Sequence, residues 1–182
     1  GGGAAAVFVV VYISFMGYAG DRVTAWLHPE LDPGDTGYQI LQSLYAIGSG
    51  GLFGLGYGKS RQKYLYLPFQ YNDYIFAVIC EELGLVGAMA IVALFAVTIL
   101  RGYWIALNAR DRFSTVLAAG LVTLIAVQTI LNLCVVTNLL PSTGIALPFF
   151  SYGGTALAVN LGEMGIVLGI SRGRNRRKIQ EA

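Results

Sequence analysis

Long apolar blocks separated by short charged joints organise this 182-residue chain. Four blocks stand out: Ala4 to Ala19 (AAAVFVVVYISFMGYA), Leu83 to Leu100 (LGLVGAMAIVALFAVTIL), Ser114 to Thr137 (STVLAAGLVTLIAVQTILNLCVVT) and Ala156 to Ile170 (ALAVNLGEMGIVLGI). A membrane crossing takes about 20 residues at 1.5 Å each, so the shorter blocks extend into their flanks. Between the first and second blocks runs a long polar segment, Asp21 to Asp73, and a connection of that length commonly carries function. Within it, YQILQSLYAIGSGGLFG repeats at helical spacing with Gln39, Gln42 and Ser43 on one side. That predicts a short helix lying along the membrane or dipping into it. The pattern as a whole predicts an all-α polytopic membrane protein. It has about four transmembrane helices and a long outer loop with short helices, in a single membrane domain over 1–182.

Composition agrees with this. Hydrophobic residues make up 55% and charged residues 12%, with mean hydropathy +0.63, whereas soluble domains carry about 25% charge. The glycine-led start lacks a signal-peptide pattern and reads as a boundary within a larger chain. Cys80 and Cys134 lie in apolar blocks and read as buried hydrophobes rather than a disulfide or metal pair. A lone His28 forms no metal cluster, so the residues themselves suggest no metal site.

Charge placement sets the expected orientation. Arg101, Arg110 and Arg112 flank one short joint, and Arg172, Arg174, Arg176, Arg177 and Lys178 follow the last block. Leu139 to Thr155 carries no charge. The positive-inside rule puts the basic joint and the C-terminus in the cytoplasm, and segments 21–73 and 139–155 outside. A basic tail directly after a membrane span reads as an orientation signal rather than a nucleic-acid patch.

Candidate chemistry concentrates in the outer segment. GYGKS (Gly56–Ser60) resembles the end of a phosphate-binding loop, but Phe53 occupies the position of its first glycine and no strand precedes it, so a nucleotide site is rejected. Lys59, Arg61 and Lys63 form a cationic cluster that suits either lipid headgroups or a phosphate-bearing ligand. Asp73 reads as a helix cap or a first-turn acid, or as a catalytic carboxylate. A continuous helix from Asp73 to Leu100 would be about 42 Å long, more than the roughly 30 Å hydrocarbon core. Its first turns must therefore project, or Glu81 and Glu82 must face a wet cavity. Asp73 and Glu81 differ by about 80° on a helical wheel and could share one groove. Gln128 and Asn132 share a face in the third block, read first as interhelical hydrogen bonds and second as substrate contacts. Glu163 in the fourth block needs a partner or water.

Three long blocks carry a resemblance. GYQILQSLYAIGSGGLFGLGYGKSRQK (Gly37–Lys63), YLPFQYNDYIFAVICEELG (Tyr66–Gly84) and LLPSTGIALPFFSYGGTALAVNLGEMGIVLGISR (Leu139–Arg172) resemble, in order, the C-terminal part of the SEDS family, the FtsW/RodA/SpoVE membrane glycosyltransferases. The resemblance implies the last four of about ten spans. It implies polymerisation of lipid II into peptidoglycan strands at the outer face of the bacterial plasma membrane, for cell division or cell shape, with release of undecaprenyl pyrophosphate. Asp73 falls on the proposed catalytic aspartate. Lys63, Gln62 and Ser60 fall on the S-x-Q-K motif and Glu81 on the first acid of EELG, with Lys59 and Arg61 as neighbouring candidates for substrate binding. Phe69, Asn72 and Tyr74 depart from the usual Glu, Thr and Phe. The resemblance implies a class B penicillin-binding transpeptidase as partner and leaves a divalent cation open as cofactor. A lipid-linked precursor flippase and a non-catalytic scaffold of the division or elongation complex are the alternatives. Glu82 receives no role.

Overall fold

The computed structural model describes residues 20, 22–31, 36–59 and 73–180. The first expected span, Ala4 to Ala19, lies outside the described residues. After a helical stretch at 22–27 and a 3₁₀ turn at Pro29–Leu31, four helices follow: α1 (Thr36–Ser49), α2 (Ile75–Leu107), α3 (Arg112–Val136) and α4 (Gly154–Gln180). Among the described residues three helices are long and apolar enough to cross a membrane, namely Ile75–Leu107, Arg112–Val136 and Gly154–Gly173. The other three expected spans therefore fall on helices, each longer than its apolar block.

Helices α2 and α3 form an antiparallel pair joined by residues 108–111. The joint is tighter than the charge pattern predicts, because Arg101 lies within α2 and Arg112 opens α3. The Arg101 guanidinium sits 5.1 Å from the centroid of the Trp104 ring, which keeps the cation on the helix surface. Asp111 caps α3, accepting the Ser114 N–H at 2.9 Å and the Ser114 hydroxyl at 2.8 Å, and these bonds hold its carboxyl below the ordinary range. At its other end α3 closes with a Schellman turn. Asn138 takes a left-handed φ of 59°, and the Leu139 N–H reaches the Cys134 carbonyl at 2.7 Å.

Two apolar clusters hold the bundle. One, including Ala46, Tyr74, Phe76, Ala77, Val136 and Leu147, joins α1, the start of α2, the end of α3 and the following loop. The other, built on Ala106, Ala118, Val122 and Val167, joins α2, α3 and α4 near the basic end. Asp73 and segment 137–153 thus lie at the opposite end of the bundle from Arg101, Arg110, Arg112 and Arg172.

The continuous second helix is corrected by the structure. Gly84 sits inside α2 at φ 68°, ψ −170°, and breaks it into two halves. A break frees carbonyls on one side and N–H groups on the other, and each such group left unpaired in a bilayer costs several kcal/mol. The loop after α1 takes them up. Leu55 and Gly56 donate to the carbonyls of Glu81 and Glu82 at 2.9 and 3.1 Å, while Leu85 and Val86 donate to the carbonyls of Gly51 and Leu52 at 2.9 and 3.2 Å. The loop is spliced into the helix, which explains the glycines on both sides. Gly84 has a φ that side chains avoid, and a Cβ there would lie 2.6 Å from the Leu52 carbonyl oxygen. Gly54, at φ 78°, packs directly on the Glu82 backbone.

Replacing Gly84 with alanine should destabilise the full-length protein by about 1–3 kcal/mol, a Tm drop of roughly 5 °C in detergent. Gly120→Ala, where nothing lies within 4 Å, serves as the control. Equal thermal unfolding of both variants would contradict the splice.

Candidate active site

Asp73 lies just before α2, not at its cap. Tyr74 is the N-cap residue, and no side chain caps that end. The reading of Asp73 as a helix cap is therefore corrected, and its carboxylate is left for other work. It is half-buried and faces three elements. Gly144, in the loop after α3, turns at φ 69° so that a Cβ there would sit 3.7 Å from Asp73 Oδ2. Asn132 of α3 donates through Nδ2 to the main-chain carbonyl of Asp73 at 2.8 Å and to that of Ile145 at 2.8 Å. Arg22 donates through Nη1 to the Ser142 carbonyl at 2.7 Å and places its positive charge near Asp73.

The loop is pinned by residues distant in sequence. Trp26 Nε1 donates to the Asn138 carbonyl at 2.9 Å. The Ser43 hydroxyl lies 3.3 Å from the Val136 carbonyl and 2.8 Å from that of Ile40. Side chains from before α1 and from α1 itself therefore hold the end of α3 and its loop against the start of α2.

Electrostatics at Asp73 oppose one another. Burial raises its pKa above the ordinary carboxylate value, and the Arg22 charge pulls it back part of the way. The result is a carboxylate more basic than a solvated one, held beside a fixed cation. That combination can accept a proton from a weakly acidic hydroxyl.

A cavity of about 480 Å³ opens next to this site, between α3, the loop and the start of α4. Its lining includes Gln128, Ile145, Leu147, Phe149, Thr155 and Asn160. Gln128 and Asn160 bring two amides to a mostly apolar wall. The cavity shares Ile145 with the Asn132 bracket but does not include Asp73.

The remaining sequence candidates fall in different places. Lys59 is exposed just beyond the spliced loop, while Ser60, Arg61, Gln62 and Lys63 lie outside the described residues. Glu81 and Glu82 are 1% and 7% exposed, at the helix break, and Glu82 Oε1 has no hydrogen-bond partner. Asp73 is partly open at the helix start and Glu81 is buried below it. Glu163 is buried in α4 with Oε2 unpaired. Asn132 bonds to loop and main-chain carbonyls rather than to a neighbouring helix's side chains. Arg22 was not singled out by the sequence. Its only signal is a charge immediately after an apolar block. Among the described residues no three His, Cys, Asp or Glu side chains group to hold a metal ion.

Comparison with known proteins gives consistent matches. The family model FtsW/RodA/SpoVE, described as cell cycle protein, matches residues 2–176. Stage V sporulation protein E of Bacillus subtilis is 50% identical over 151 residues, covering 83% of this chain and 41% of that protein. The probable peptidoglycan glycosyltransferase FtsW of Trichlorobacter lovleyi is 45% identical over 166 residues, covering 91% of this chain and 44% of that protein. This chain thus spans less than half the length of these curated relatives. Among solved structures, a peptidoglycan synthase complex that coordinates polymerization and crosslinking matches at TM-score 0.71 and 29% identity, over 92% of this chain and 46% of that one. A mutant of the Thermus thermophilus rod shape determining protein RodA matches at TM-score 0.57 and 32% identity, over 72% of this chain and 40% of that one.

Substituting Arg22 with glutamine removes the charge that favours the Asp73 carboxylate. The protonation midpoint of Asp73 should therefore rise further. Infrared titration of the carboxyl C=O band in the full-length protein, with Asp73→Asn as the blank, measures it. An unchanged or lower midpoint would remove Arg22 from the electrostatics of this site.

Proposed function

The chain belongs to the FtsW/RodA/SpoVE family of cell cycle proteins, and on that premise we propose that it is the C-terminal part of a peptidoglycan glycosyltransferase. The enzyme polymerises lipid II at the outer face of the bacterial plasma membrane, in division or cell-shape maintenance. The observation that carries this reading is the half-buried Asp73. It is made more basic by burial and held beside Arg22 and the Gly144 turn, at the end of the bundle opposite Arg101, Arg110, Arg112 and Arg172. By the positive-inside rule that end is the outer one and the C-terminus is cytoplasmic.

An acceptor sugar hydroxyl is a poor nucleophile until its proton is removed. Asp73 takes that proton as the hydroxyl oxygen bonds to the anomeric carbon of the donor. The bond from that carbon to the lipid pyrophosphate breaks, and undecaprenyl pyrophosphate leaves. The growing negative charge on the leaving group needs cations. Lys63, with Lys59, Arg61, Gln62 and Ser60 around it, takes that role, and Lys59 emerges from the spliced loop in support of it. Glu81 belongs to the wall beneath the site. The cavity of about 480 Å³ lies in the range of small-molecule sites and gives part of the substrate an amide-bearing wall. A divalent cation at the pyrophosphate stays open. A class B penicillin-binding transpeptidase is the partner, supported by the match to a synthase complex that joins polymerization to crosslinking.

Broken helices also occur in transporters, where the freed ends face the cargo. Here the freed carbonyls and amides at Gly84 are occupied by the chain's own loop, which favours the enzyme over the flippase.

Asp73→Asn in the full-length protein should lower glycan polymerisation from lipid II by roughly 10²–10⁴-fold at normal expression. Flipping of dye-labelled lipid II and survival of cells carrying only this variant are followed in parallel. Undiminished polymerisation removes Asp73 as the base. Lost flipping with intact polymerisation supports the flippase, and survival with no polymerisation supports the scaffold.

A further inference from the structure

Asn132 is a polar residue, 1% exposed, in the apolar helix α3. A primary amide carries two donor hydrogens on one nitrogen, and Asn132 spends them on two carbonyls that no helix serves. One belongs to Asp73, just before α2, and the other to Ile145 in the loop after α3, each at 2.8 Å. The amide oxygen Oδ1 stays buried without a hydrogen-bond partner. The reverse orientation is ruled out chemically, because Oδ1 would then face two carbonyl oxygens. A buried amide that leaves its own oxygen unpaired to serve two distant carbonyls marks a position kept for those two bonds.

We propose that Asn132 is a positioning residue for the reaction: its amide ties the main chain of Asp73 to the Gly144–Ile145 turn and so fixes the direction of the Asp73 carboxylate. This rests on Asp73 acting as the general base. Gly144 faces Oδ2, so the bracket also holds the surface against which the carboxylate rests. No other side chain repeats the geometry. Leucine has the shape without a donor, aspartate replaces the donor with an acceptor, and glutamine keeps the donor one methylene further out.

The test uses full-length Asn132→Leu and Asn132→Gln in steady-state polymerisation of lipid II. Loss of the bracket misdirects the base without removing a substrate contact. The leucine variant should therefore lose roughly 10- to 100-fold in kcat with KM changed by less than about twofold. The acidic limb of its pH profile should also move, because Asp73 leaves its place between burial and Arg22. Glutamine should restore part of kcat. If the leucine variant does not accumulate folded, Gly144→Ala perturbs the same bracket from the turn and should lower kcat with the same signature. A folded leucine variant with wild-type kcat overturns the proposal. So does an equal loss in both Asn132 variants with an unmoved acidic limb, which marks a merely structural residue. In the Gly144 arm, unchanged kcat overturns it as well. Active Asp73→Asn signals failure of the general-base reading itself. Inactive Asp73→Asn beside a normal Asn132→Leu signals failure of the bracket alone.

Discussion

Four backbone hydrogen bonds between residues 51–56 and the break in α2 organise the end of this molecule that carries Asp73. An interrupted helix inside a bilayer is tolerated only where something else satisfies its exposed peptide groups. Here that partner is the chain's own glycine loop, which accepts from the N–H groups of one half-helix and donates to the carbonyls of the other. The splice fixes the loop after α1 against the break in α2. The upper part of α2 is then free of the direction of the lower part, and Asp73 lies just before its first residue.

Above the splice, the site is assembled from parts that share no local sequence. Asp73 lies just before α2, Asn132 comes from the last turns of α3, Gly144 from the following loop and Arg22 from before α1. Burial and the Arg22 charge act on the carboxylate in opposite senses. The proposed role of Asp73 as a base rests on this balance: enough desolvation to hold a proton more tightly, and enough positive charge to favour the anion. The loop that closes the site is held by hydrogen bonds to carbonyls, which leaves its side chains free to line the adjoining cavity.

Much of this was legible in the sequence, for local reasons. Apolar blocks found three helices because length and hydropathy are properties of a single segment. The helical spacing of YQILQSLYAIGSG found α1 in the same way. The arginines of the joint and the one that follows the last block, Arg101, Arg110, Arg112 and Arg172, did gather at one end. The break at Gly84 was not legible, because glycine in EELG looks the same whether the helix continues or stops. Only contact with Leu52 and Gly54 shows that it stops. Glu81 and Glu82 looked anomalous for that reason: their main-chain carbonyls accept the hydrogen bonds of the inserted loop. Arg22 went unnoticed, and Asn132 was noticed without its partners, because those partners lie far along the chain. Arg22 meets Ser142, and Asn132 meets Asp73, across connections that no spacing encodes.

The contacts of Arg22 with Ser142 and of Trp26 with Asn138 span 120 and 112 residues. A chain made from its N-terminus produces Arg22 and Asp73 well before the loop that completes their surroundings. At about 5–20 residues per second, several seconds of synthesis separate the two. During that interval the carboxylate exists but has neither Gly144 beside it nor the turn that Asn132 secures. A chain halted before the loop that follows α3 therefore lacks these contacts. The surroundings of Asp73 are complete only once α3 and the loop after it have been made, so the order of synthesis is also the order in which this pocket is assembled.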